Sequence, residues 1–222
     1  MWAQLGETRS GIAVGLNAGI AMNKVSFDPT IKQNWHIGPS IGLTARFTSE
    51  LYFKTLCSLQ VELNYAQLGW RENIMNNAGE QLPDTYSRNA NYLQLPMLAR
   101  LAWGNEKGLM GYFLVGPQVA FLMGEKAKQS STWTVDASGN PDRPNGMYSQ
   151  YSMDIEHRFE YGITGGAGLE LTTKNGFHYM LEGRYTYGLS DLYGNSKKDV
   201  FSKSNNQGIV IKFTCLFDLK KD

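Results

Sequence analysis

Along this chain apolar side chains recur at every second position in stretch after stretch, the period of a β-strand whose two faces meet different surroundings. The longest instance is residues 159–192. Tyr161, Ile163, Ala167, Leu169 and Leu171 share one face of its first arm, and Phe177, Tyr179, Leu181, Tyr185, Tyr187 and Leu189 share one face of its second. The opposite faces are small or charged, with Gly162, Gly166, Gly168 and Glu170 on the first arm and Glu182, Arg184 and Gly188 on the second. Lys174-Asn175-Gly176 joins the arms. Asn-Gly predicts a tight hairpin turn, because both residues tolerate a positive φ. Each arm exceeds the usual strand of about 5 or 6 residues and reaches the roughly 9 to 11 tilted residues that cross a membrane.

The same alternation predicts six further strands, carried by Ile12 to Met22, Trp35 to Phe47, Leu59 to Tyr65, Leu93 to Trp103, Phe113 to Met123 and Ile209 to Phe217. Short turns are expected at 48–50, 104–108 and 174–176, and longer polar loops through Asp28-Pro29 and at 71–88, 124–155 and 190–205. All the long connections then fall at one end. An outer-membrane barrel has short periplasmic turns and long extracellular loops, an asymmetry that a soluble barrel has no reason to keep. The predicted fold is therefore an all-β, eight-stranded antiparallel up-and-down transmembrane β-barrel. It is read as a single domain over 1–222, with 1–9 as an N-terminal periplasmic segment and 124–155 as the longest extracellular loop.

Composition agrees. The 24 Gly, 12 Tyr, 10 Phe and 5 Trp suit a barrel with curved strands and aromatic girdles. No apolar run is long enough for a helical span. A net charge of +1 offers no basic patch, so nucleic acid is not an expected partner. Residues 1–10 carry no basic segment followed by an apolar run, so any secretion signal is expected to be missing from this chain already. Cys57 and Cys215 fall on strands that are not neighbours and are expected not to pair.

The small face carries Arg46, Glu62, Arg100, Glu170, Glu182, Arg184 and Lys212. Such charges are costly against lipid and should point into the barrel. Glu62 and Arg100 lie on adjacent strands, as do the pair Glu182 and Arg184 with Lys212, so paired charges are expected to cross-brace the lumen, with Glu182 meeting Lys212 or, diagonally, Arg184. An eight-stranded barrel is just wide enough for side chains to fill it, which favours a packed polar core over an ion path. No catalytic residue, metal or cofactor is expected. His36, His157 and His178 do not cluster, and Ser40 lies about 13 Å along the strand from His36, beyond hydrogen-bond reach. Asp136, Asp142 and Asp154 lack the EF-hand spacing. Pro96 and Pro117 cannot donate to a ladder and should each mark a bulge or break.

Several segments resemble the small outer-membrane barrels of Bacteroidetes that include PorT-like proteins. They are LCSLQVELNYAQLGW at 56–70, NYLQLPMLARL at 91–101, YFLVGPQVAFL at 112–122, and YGITGGAGLEL with LEGRYTYGLSDL in the hairpin. The resemblance implies a bacterial outer-membrane location and no single activity. The expected function is a non-catalytic anchor or accessory subunit of a surface or transport assembly. Its partners would be outer-membrane lipid and a protein bound through extracellular loops, with Trp133, Tyr148 and Tyr151 as aromatic anchors. A small-solute pore and a lipid-modifying enzyme remain the alternatives.

Overall fold

The computed structural model describes residues 7–76 and 78–221. Eight long strands close into a ring: β1 (Glu7–Asp28), β3 (His36–Tyr52), β4 (Thr55–Glu72), β5 (Tyr86–Gly104), β6 (Leu109–Gln129), β7 (Phe159–Thr172), β8 (Phe177–Gly188) and β9 (Lys203–Lys221). The two-residue β2 (Gln33–Asn34) pairs only with the end of β4. Each long strand runs antiparallel to its neighbours in sequence, and β1 pairs with β9 from Gly11 to Asp28, so the ring has no free edge at its middle. Residues 1–6 of the expected N-terminal segment lie outside the described residues, and Glu7 already pairs with Leu51.

The alternation sorts side chains by solvent. Leu16, Ile41, Phe113, Leu169 and Leu181 face outward and are each more than half exposed, while the interleaved Arg46, Glu62, Glu170 and Arg184 are buried. Apolar out and polar in is the arrangement that lipid imposes on a barrel wall.

Above this belt the polarity inverts. On β1 the outward Leu16 and Ile20 give way to inward Val25 and Phe27; on β4 the outward Leu63 and Tyr65 give way to inward Leu68 and Trp70. β5 does the same with inward Ala90 and Tyr86, and β6 with inward Leu122. The strands therefore run further than the belt alone predicts. β6 reaches Gln129 rather than stopping near Gly124, and the loop after it is correspondingly shorter.

Two turn details differ from expectation, and the prolines mark the break they were expected to mark. The turn placed at 48–50 is a bulge in which Ser49 is the extra residue on β3, and the chain reverses further on, at Phe53-Lys54. In the β7–β8 hairpin only Gly176 has positive φ (79°), and Gly176 N–H donates to Thr173 O (3.1 Å). The loop is thus four residues closed by a left-handed glycine, rather than a two-residue turn with Asn175 left-handed as well. The β5–β6 ladder is interrupted between Pro96 and Ala99, opposite Pro117, and resumes in the same register. The two prolines mark a break without a bulge. Gly15 is required by packing, since a Cβ there would stand 1.8 Å from Cys215 O.

Candidate functional site

The lumen is crossed by two charge clusters built from opposite walls. In the first, Glu170 on β7 accepts from Arg46 Nη1 on β3 with both oxygens at 2.8 Å, from Arg100 on β5, and from His178 Nδ1 at 2.7 Å. His178 Nε2 lies 2.9 Å from Asp218. In the second, Arg184 on β8 donates to both oxygens of Glu62 on β4 at 3.0 and 2.6 Å, and Lys212 Nζ on β9 donates to the same carboxylate at 2.8 Å. Gln60 and Asn64 complete the shell of Glu62. Glu182 contacts Arg184 at 2.5 Å and accepts from Tyr112 OH at 2.9 Å.

All seven sequence-nominated lumen residues are buried and belong to these clusters, and Glu182 meets Arg184 as expected, but the pairs expected between adjacent strands are replaced by longer reaches. Glu62 does not meet Arg100 on the adjacent strand; it reaches across to β8 and β9. Lys212 stands opposite Glu182 in the ladder, yet its ammonium bonds to Glu62. Long side chains on a narrow barrel reach the far wall as readily as the next strand. Sequence parity nominated the charges, but Tyr112, His178 and Asp218 were missed as partners, because only the closed ring brings them to the charges.

Above the clusters lies a third polar layer, in which Asn206 Nδ2 donates to both oxygens of Glu160 (3.0 and 2.8 Å) and Asn23 Nδ2 donates to Asn206 Oδ1 (2.8 Å). A cavity of about 30 Å³ beside Glu160 is lined by Asn23, Gln94, Gln118 and Asn206. That is room for a water or so, not a passage.

The extracellular mouth is closed by an apolar cluster. Phe27 packs against Phe201 (ring centroids 4.8 Å) and edge-on to Trp70 (5.3 Å), with Leu122, Ile155, Leu192 and Tyr193 buried around them. The segment 130–158 folds down onto this core. Trp133 stacks on Tyr151 at 4.6 Å with planes 10° apart, and the Arg143 guanidinium lies 5.0 Å from the Trp133 ring. Arg143 also pairs with Asp84 at 3.0 Å, and Arg88 with Glu125 at 2.9 Å. Of the three nominated loop aromatics, Trp133 and Tyr151 are half-buried in the cap, and Tyr148 is exposed.

Tyr151 OH donates to Glu72 Oε2 at 2.8 Å and Gln150 Nε2 donates to Glu72 Oε1 at 3.1 Å. Burial pushes the Glu72 carboxyl above its ordinary value against the pull of these bonds. Burial likewise raises the Tyr151 phenol and pushes Tyr86 up to about 12.

His36, His157 and His178 lie apart, as expected. His178 touches Thr172 Oγ1 at 3.1 Å, but its Nδ1 is shared with the closer Glu170 carboxylate. The group is a buried clamp rather than an activated hydroxyl. Among the described residues no cluster of His, Cys, Asp and Glu could hold a metal, and Cys57 and Cys215 are free thiols.

Solved structures of similar architecture include the attachment invasion locus protein Ail of Yersinia pestis, at 14% identity over 95% of this chain and 99% of that one, with a TM-score of 0.39. OprG of Pseudomonas aeruginosa matches at 12% identity over 96% and 95%, with a TM-score of 0.44. Neisserial surface protein A matches at 11% over 94% and 98%, with a TM-score of 0.40. No curated protein matches the sequence. The family model for the outer membrane protein beta-barrel domain matches residues 2–194. Matched over that length and folded as a closed ring with an apolar outer belt, the chain belongs to the outer membrane protein beta-barrel domain family and is an outer-membrane protein.

Proposed function

We propose that this barrel is a non-catalytic anchor or accessory subunit that holds a rigid extracellular platform for a protein partner. The observation that carries the reading is the capped mouth. The strands continue beyond the lipid belt and the loops pack on them around a common apolar core, while the lumen below is filled by paired charges. A solute pore needs an open lumen, and a lipid-modifying enzyme needs a nucleophile and base together at the rim. The PorT-like resemblance makes a secretion or surface-transport assembly the proposed setting.

The contact surface proposed is the upper part of the loop after β6. There Val135 pairs with Pro141 in a small hairpin, and both Val135 and Tyr148 are exposed. Trp133 and Tyr151 serve as its foundation. The test is gentle detergent extraction of the native membrane with the double variant Val135→Asp, Tyr148→Ala. The expected result is loss of a co-purifying protein while the barrel keeps its heat-modifiable migration; unchanged co-purification sinks the proposed surface.

A further inference from the structure

Among the buried acids of this protein most are matched to a cation: Glu62 and Glu182 to Arg184, Glu170 to Arg46 and Arg100, Asp84 to Arg143. Glu72 at the mouth is not. Its two oxygens receive neutral donors, Tyr151 OH and Gln150 Nε2, with the Trp70 indole beside them; the Arg143 guanidinium acts on it only through space, and no ion pair reaches it among the described residues. Gln150 is itself 1% exposed, and its Oε1 has no hydrogen-bond partner. The amide cannot be turned over to cure this. Its nitrogen is held between two acceptors, Glu72 Oε1 and Met147 O (3.5 Å), and reversal would set oxygen against oxygen.

Both residues line one cavity of about 230 Å³ that opens on the extracellular side between the loops after β1, β4 and β6. Ile31, Ile74, Met75 and Met147 form its apolar lining. Arg143 also lines it, but its guanidinium is engaged by Asp84, Tyr151 OH (2.8 Å) and Asp142 O (2.8 Å). Lys32, on the rim, is exposed, with its Nζ 3.1 Å from the Met75 thioether. A buried carboxylate without an ion-pair contact and a buried carbonyl without a donor are each costly in isolation. One group satisfies both, an ammonium with several N–H donors, and the surrounding wall is suited to the carbon chain that carries it.

We propose that this cavity binds a primary ammonium on an apolar stem, with Glu72 and Gln150 Oε1 as its acceptors. A lysine side chain of a bound protein and a free alkylamine share this chemistry. The inference does not depend on the platform reading, since a small molecule alone tests it. Lys32 would oppose the ligand's charge from the rim, which gives the site a signed signature.

The experiment is calorimetric titration of the purified full chain in detergent with n-pentylammonium chloride, and with 1-pentanol as the uncharged counterpart. Saturable binding of the ammonium, at least tenfold tighter than the alcohol, is expected. Glu72→Gln should weaken it tenfold or more, and Lys32→Met should tighten it severalfold, both variants keeping heat-modifiable migration. Tighter binding of an acetyl-lysine-amide than of pentylammonium, abolished by acetylating its Nε, would assign the site to a partner's lysine; the reverse order would assign it to a free amine. Absence of saturable ammonium binding, equal binding of the alcohol, or insensitivity to Glu72→Gln overturns the proposal.

Discussion

The membrane belt and the extracellular extension are made from the same strands with opposite polarity. In the belt, odd positions of β4 and β5 are mostly apolar and face lipid, and even positions fill the lumen, with polar Gln60, Glu62, Asn64, Gln94 and Arg100 beside an apolar cluster that includes Leu98 and Ala102. A few residues further on, even positions are apolar and face a core, as with Leu68, Trp70, Ala90 and Tyr86, while their neighbours turn to water. The strands run on through the crossing, with a left-handed Gly69 on β4 and a register shift at Asn91/Tyr92 between β5 and β6. The solvent outside the wall changes, and the side chains change phase with it. A strand that leaves a membrane keeps its period of two and shifts its apolar set by one residue, which turns a lipid-facing wall into an ordinary water-soluble barrel around an apolar plug.

The comparison can be broken most severely from inside the belt. Arg184→Ala leaves Glu182 without its ion-pair partner and Glu62 with Lys212 alone, and the expected loss is about 3–5 kcal/mol, the usual result of removing one partner from a buried pair. Arg184→Gln combined with Glu62→Gln should lose clearly less than the sum of the single changes, measured by denaturant unfolding in lipid vesicles. Additive losses would show that the two charges do not share one cluster.

Outside the wall the two regions should respond oppositely to the same charge. Leu181 sits midway along the outward row from Phe177 to Tyr187, and Leu181→Arg is expected to lose about 2–4 kcal/mol. Ser26→Arg places the charge on the outer face of the extension and should stay within about 0.5 kcal/mol. Equal losses at the two sites, in the same unfolding assay, would mean that the lipid boundary does not lie between them.

The cap should also respond to pH through Glu72. Burial raises this carboxyl in the folded state, so the folded form prefers the proton. Stability that is present at low pH is lost as pH rises through the raised pKa. Glu72→Gln should therefore gain thermal stability relative to the natural chain as pH is raised from the ordinary carboxylate range toward neutral. A constant difference across that range would contradict the assignment. The smallest effect is expected at the periplasmic end, where Phe53 is 83% exposed with φ of 55°. Left-handed backbone costs a residue with a Cβ about 1–2 kcal/mol, so Phe53→Gly should raise the unfolding midpoint slightly, and a lowered midpoint would show that its ring contact with Tyr52 matters more.

What the sequence made legible follows from this division. The ring of eight and the inward placement of Arg46, Glu62, Arg100, Glu170, Glu182, Arg184 and Lys212 can be read from alternation, because lipid enforces it on every strand, and the orientation of the ends from the unequal loop lengths. Pairing within the lumen cannot be read so. Whether Lys212 chooses Glu182 beside it or Glu62 across from it depends on the bore of the closed ring, which no single strand encodes. The extension escaped for a different reason. Residues such as Arg88, Glu125 and Lys126 read as loop once the outward apolar row ends, although Tyr86, Ala90 and Leu122 continue the alternation in the other phase. Aromatic content picked out the loop after β6, but it could not separate Trp133 and Tyr151, which hold the cap together, from Tyr148, which faces water.

The central claim is that this barrel is closed, with paired charges across its lumen and an apolar core over its mouth. Planar-bilayer recording of the pure, refolded protein tests it most directly. Insertion without stable single-channel conductance is the predicted result. Reproducible unitary conductance from the unaltered chain would contradict the account and restore the pore as its function.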